Sequence, residues 1–117
     1  MVVQLAFMKR HAHLSFEEFD DMWTKHAQLV HTHLTAVKNG TVKYKQFHMN
    51  KERMDELRAL GYPTATYDGI AIWEAATLKE IFDCVTSPEC VEHVRPDDAR
   101  FLAEEKLELV AGDFVSL

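Results

Sequence analysis

Along this chain the apolar positions recur with a period of two, then of about 3.6, then of two again, and each change of period marks an element. Residues 2–10 read as a strand, with Val3, Leu5 and Phe7 on one face and Val2, Ala6 and Met8 on the other. Apolar residues on both faces imply that both faces are covered. Phe16, Phe19, Trp23, Val30 and Leu34 then recur at helical spacing, and Ser15 with Glu18 forms a capping box that opens a helix running to about Leu34. Asn39-Gly40 turns the chain into a second strand, 41–49, one face of which carries Val42, Tyr44, Gln46 and His48. A short helix at 51–60 is capped by Asn50, turns Met54, Leu57 and Leu60 to one side, and ends at Gly61 and Pro63. After a loop at 61–66, Tyr67 to Glu74 forms a third strand, again apolar on both faces. Leu78, Ile81, Phe82 and Val85 give a further helical stripe. Ser87-Pro88 interrupts it and recaps a short helix with Val91 and Val94, and Pro96-Asp97-Asp98 restarts a turn through Phe101. The last strand is expected over 107–117, with Leu107, Leu109, Val115 and Leu117 on one face.

The order is β-α-β-(α)-β-α-β over a single domain, residues 1–117. Two strand–helix–strand halves of this size fold as an α+β, ferredoxin-like βαββαβ sandwich, one four-stranded sheet with helices on one face. Strands one and three are apolar on both faces, so the face without helices needs a cover. A second copy of the same sheet supplies one, which predicts a sheet-to-sheet homodimer forming an α+β barrel. The segment 51–66, an insertion flanked by Gly61 and Pro63, is placed where a movable cover over a pocket would be.

Composition narrows the function. Apolar content of 47% and charged content of 27% describe an ordinary globular chain, and the net charge of −6 speaks against a nucleic-acid partner. No segment is apolar for long enough to span a membrane, and the apolar start of the N-terminus precedes its basic residues, the reverse of a secretory signal. Cys84 and Cys90 lack a second cysteine pair, which is most simply a reduced, cytoplasmic protein without structural zinc. His11/His13 and His31/His33 do not make a metal site either, because residues two apart on a helix diverge by about 200° and His11 sits where its strand frays. No phosphate loop, nucleotide fingerprint or nucleophile elbow is present, so no cofactor is expected.

The chemistry concentrates on one anomaly. The helical stripe of Phe16 to Leu34 has a gap at His26, so an imidazole points the same way as Trp23 and Val30. A buried imidazole must find a hydrogen-bond partner, and one so placed is suited to moving protons near neutrality. His48 joins it in one cavity if its strand face looks toward the helices. His93 and Asp97, four apart, form a further candidate pair. Asp68 before Gly69 reads as a turn or bulge holder.

The string Ser15-Phe16-Glu17-Glu18-Phe19, then Trp23, then His26-Ala27-Gln28-Leu29-Val30, resembles the signature of the EthD-type domain family, small dimeric α+β-barrel proteins. Tyr67-Asp68-Gly69-Ile70-Ala71 and Asp97-Asp98-Ala99-Arg100-Phe101-Leu102 are similar to its third-strand and C-terminal motifs, and the matching pieces run in order from residue 3 to 117. Two departures stand out: Gln28 occupies a position where the family usually has proline, and Ile72 one that is commonly acidic. His26 matches the family histidine. Members resembling this chain accompany fungal polyketide gene sets and are taken to be decarboxylases, dehydratases or cyclases, and related barrels include cofactor-free monooxygenases and isomerases.

The resemblance therefore implies a small aromatic or polyketide substrate held in an apolar pocket. Phe7, Trp23, Tyr44, Tyr67, Trp73 and Phe101, with His93, are the expected substrate-binding residues. His26 and His48 are the expected catalytic pair of a cofactor-independent lyase, His26 delivering a proton while His48 or Tyr67 steadies a phenol or carboxylate. Two alternatives are a non-catalytic carrier that shields a hydrophobic intermediate and a cofactor-free oxygenase or isomerase of the same barrel type.

Overall fold

The computed structural model describes all 117 residues. Four strands, β1 (Val2–Met8), β2 (Lys43–His48), β3 (Gly69–Ala75) and β4 (Glu108–Gly112), form one antiparallel sheet in the order β2-β3-β1-β4. This is the ferredoxin-like arrangement expected from the βαββαβ pattern. Five helices join the strands: α1 (Phe16–His33), α2 (Thr35–Lys38), α3 (Lys51–Ala59), α4 (Leu78–Val85) and α5 (Arg95–Phe101). No helix is long and apolar enough to cross a membrane.

The capping box at the start of α1 forms as read, with Ser15 Oγ accepting from the Glu18 amide and Glu18 Oε1 from the Ser15 amide. Phe19, Trp23, His26 and Val30 are its buried residues, so the imidazole occupies the core stripe. Gly69 is where α1 and the sheet come closest: a Cβ there would lie 2.5 Å from the Trp23 ring. Asp68, beside it, accepts from the Arg10 amide and pairs with the Arg10 guanidinium at 2.6 Å, which ties the entry of β3 to the end of β1 as a turn holder would.

Between α4 and α5 the chain makes a wide π-helical turn, Cys90–Val94, in which the Arg95 amide reaches back to the Cys90 carbonyl. Pro96 has no amide proton, and its ring crowds the carbonyl four residues earlier, so the backbone opens there. The turn directs Cys90 and Val94 inward.

The helices cover the sheet face that carries Ala6, Met8, Tyr44, Ala71 and Ala75, all buried. Residues paired across the strands share a face, so Leu5, Phe7, Phe47, Ile70, Ile72 and Val110 lie together on the other, uncovered one. Phe47 and Val110 are half exposed or more there. The expected final strand is shorter than the alternation suggested. Gly112 already pairs with Val3, so after Asp113 strand β1 has no residues left to pair, and Val115 and Leu117 stand in solvent outside the sheet. Helix α3 buries none of its residues.

Candidate functional site

A cavity of about 470 Å³ opens between the covered sheet face and the segment from α4 to α5. Its floor is Gln4, Ala6 and Met8 of β1 with Ala71 and Trp73 of β3, and Leu107 and Leu109 close one side. Trp23 and His26 come from α1, Tyr44 from β2, and Phe82, Cys90, Val94 and Leu102 from the opposite wall. Tyr44 and Trp73 pack at a tilt of 52° with ring centroids 4.6 Å apart, and form an aromatic wall of the cavity. The polar residues are His26, Asp98 and Tyr44, with Gln4, Arg95, Thr86 and Glu104 also on the lining.

His26 is held from both sides. Its Nδ1 lies 2.7 Å from Asp97 Oδ2 and its Nε2 3.0 Å from Asp98 Oδ1, and the edge of its ring meets Phe101. Carboxylates facing both nitrogens make both of them donors, which is the imidazolium form. Burial works against that charge, but the bonds and charges of Asp98 and Asp97 outweigh it, so the pKa of His26 lies above its ordinary 6.5. Asp97 is fixed in turn by Arg100 Nη1 at 2.7 Å and does not line the cavity. Asp98 does, and it is the charged group that His26 presents to a ligand.

Tyr44 is buried beside it. Burial pushes its phenol up to about 12, against donation to its oxygen from Gln46, and the charge of Asp98 adds to the upward push. The phenol therefore keeps its proton and serves as a donor. Cys90 also lines the cavity, but burial raises its thiol and leaves it an apolar wall rather than a nucleophile.

The sequence-predicted residues separate into two groups. His26, Trp23, Tyr44 and Trp73 meet in the cavity. Phe101 is fully buried behind His26 and serves as its support rather than as lining. Phe7 and Tyr67 do not belong to the site: Phe7 is on the uncovered sheet face, its ring 5.2 Å from that of Tyr67, whose hydroxyl bonds Glu108. His93 is not at the site either. The π-helical turn swings it outward onto His33, with centroids 4.1 Å apart, and Asp97 pairs with His26 in its place. His48 does face the helices, yet it does not share the cavity, because the Trp23 ring stands in between at 4.4 Å. Helix α3 and its loop sit over a separate groove lined by Arg10, Ser15 and Tyr67, so they do not cover this cavity. Asp98 escaped the sequence reading, although a core histidine calls for an acidic partner and Asp97-Asp98 beside buried Phe101 offers one.

The family model described as the EthD domain matches residues 11–105. Among solved structures, a dimeric ferredoxin-like protein of unknown function from Bacteroides fragilis aligns with a TM-score of 0.64 at 16% identity, covering 97% of this chain and 95% of its own. A Bacillus halodurans protein of the ethyl tert-butyl ether d (EthD) family aligns at 0.62 and 15% identity, covering 98% of this chain and all of its own. A dimeric ferredoxin-like protein from Thermobifida fusca aligns at 0.58 and 12% identity, covering 97% and 90%. At such identities the likeness is one of fold. No curated protein matches the sequence.

Proposed function

This chain belongs to the EthD domain family, and from that premise we propose that it is a cofactor-independent lyase acting on a flat, hydroxylated aromatic intermediate of polyketide type. The observation that supports the reading best is the placement of Asp98. This carboxylate, 3.0 Å from His26 Nε2, lines a mostly apolar cavity alongside the phenol of Tyr44. A carboxylate facing an apolar cavity suits proton abstraction from a carbon next to a carbonyl, and a nearby phenol suits donation to that carbonyl as charge develops. Asp97 holds the imidazole so that Asp98 stays oriented.

Among the lyase reactions, dehydration or ring closure begun by proton abstraction fits this arrangement better than decarboxylation. A substrate carboxylate placed beside Asp98 would be repelled, and both N–H groups of His26 are already engaged. In the proposed reaction Asp98 takes the proton from carbon, Tyr44 donates to the enolising oxygen, and the Asp98 proton goes to the departing hydroxyl as water forms.

The protein is further inferred to act as a homodimer packed through the uncovered sheet face, where Leu5, Ile70, Ile72 and Val110 stand together. Dimers are described for the Bacteroides and Thermobifida proteins.

The test offers the protein a polyphenolic β-hydroxyketone and a hydroxy-anthraquinone carboxylic acid, and follows loss of water and loss of carbon dioxide by mass spectrometry. Loss of water that disappears in Asp98→Asn is the expected result. Tight binding with turnover of neither compound would favour a carrier, and oxygen uptake an oxygenase.

A further inference from the structure

A chain of hydrogen bonds runs from the surface to the cavity phenol through three residues that do not line the cavity. Gln46 Nε2 lies 2.8 Å from the Trp23 carbonyl oxygen and 2.8 Å from the Tyr44 hydroxyl. Gln46 Oε1 lies 2.7 Å from His48 Nε2, and His48 Nδ1 lies 2.6 Å from Asp20 Oδ1.

The direction of every bond in this chain follows from one atom. The Trp23 carbonyl can only accept, so the Gln46 group facing it must be the amide nitrogen. That leaves the Gln46 oxygen facing His48, whose Nε2 must then donate, while Nδ1 donates to the Asp20 carboxylate. His48 is thus bonded at both nitrogens, to Gln46 Oε1 and to the Asp20 carboxylate. At the other end, Gln46 gives Tyr44 a donor and no acceptor. The Tyr44 proton is turned away from Gln46 and is left for a group in the cavity.

We propose that Gln46, locked by the His48–Asp20 pair, is a positioning residue that aims the Tyr44 hydroxyl proton into the cavity, toward a carbonyl or phenol oxygen of the ligand. The inference rests on the reading of the cavity as the binding site and deepens it. It assigns the ligand an oxygen acceptor on the Tyr44 side, opposite a hydrogen or hydroxyl presented to Asp98. It also gives His48 a part in the site that does not require contact with substrate. With the network broken, the amide is free to turn, and the phenol loses its fixed direction.

The experiment is a double-mutant cycle on the binding of 1,8-dihydroxyanthraquinone, read by quenching of tryptophan fluorescence. Gln46→Leu is expected to weaken binding by roughly tenfold with Tyr44 in place, and by less than about twofold in the Tyr44→Phe background. His48→Phe keeps a ring against Trp23 and breaks the network, and is expected to weaken binding in the same background-dependent way. Equal losses in both backgrounds would make Gln46 and His48 structural only and overturn the proposal. A second readout needs no ligand: the Gln46 side-chain amide signals in a ¹⁵N spectrum are expected to be slow in solvent exchange and to become fast in His48→Phe. Unchanged exchange would also overturn it. Failure of the wild type to bind the anthraquinone, with the amide signals behaving as expected, would count against the proposed function and leave the network standing.

Discussion

Replacing His26 by alanine tests the site through stability as well as through catalysis. A polar residue in an apolar stripe can often be removed at little cost, but this one bonds two carboxylates and its side chain is only 4% exposed. Each hydrogen bond to a charged group is worth about 1.5–3 kcal/mol. The loss of both is discounted here, because Asp97 keeps Arg100 and Asp98 is 28% exposed. The net destabilisation is therefore about 2–4 kcal/mol, or roughly 10 °C in melting temperature for a domain of this size. The effect carries a sign with pH. The pKa of His26 is raised in the folded state above its ordinary 6.5. Its contribution is fully present below that ordinary value and fades as pH rises through the raised one. Thermal melts of wild type and His26→Ala across roughly pH 5.5 to 9 should show the widest gap at the acid end, narrowing toward the alkaline end. A gap under about 0.5 kcal/mol, or one that widens with pH, would refute the reasoning that His26 is a cation held by Asp97 and Asp98.

Three other outcomes follow from the same geometry. Asp98→Asn should keep the fold and the bond to His26 while lowering turnover by roughly 10²–10⁴-fold, measured as single-turnover rate on a preparation of known folded fraction. Gly69→Ala should destabilise by about 1–3 kcal/mol in chemical denaturation, because the new methyl meets the Trp23 ring, which is itself packed against Phe19. Ile72→Lys, at the centre of the uncovered sheet face, should turn a dimer at micromolar concentration into a monomer by sedimentation equilibrium, and a wild type that is already monomeric would remove the inferred assembly.

How much of this the sequence carried depends on whether the signal is local. The α1 stripe and its capping box are written in spacing alone, so the element and the gap at His26 could be read directly. The family resemblance in the same segment agrees with the EthD match over 11–105. Strand parity was a different matter. Both faces of β1 are apolar, so nothing in its alternation says which one meets the helices; Phe7 is expected in the cavity, and Ala6 and Met8 line it instead. In β2 the faces differ, with Lys43 and Lys45 on one and Tyr44 and Gln46 on the other, so the alternation itself points Tyr44 toward the helices. His93 lies outside the cavity because the π-helical turn at Cys90–Val94 adds a residue to the helical repeat, and a period of about 3.6 cannot anticipate it. The pairing of Asp98 with His26 and the Asp20–His48–Gln46 chain are not written in local spacing. They join residues 72, 28 and 2 positions apart, and the longer separations become contacts only once the sheet order brings α1, β2 and α5 around one cavity.

The most direct test of the account is the position of a bound ligand, obtained from a crystal structure of the protein with 1,8-dihydroxyanthraquinone. The rings should lie along Trp73 in the cavity between the sheet and the α4–α5 segment, with one ligand oxygen about 3 Å from the Tyr44 hydroxyl and a hydroxyl at similar distance from Asp98. A ligand seated in the groove under α3, or on the uncovered face among Leu5, Phe7 and Ile70, would contradict the assignment of His26, Asp98 and Tyr44 as the functional site.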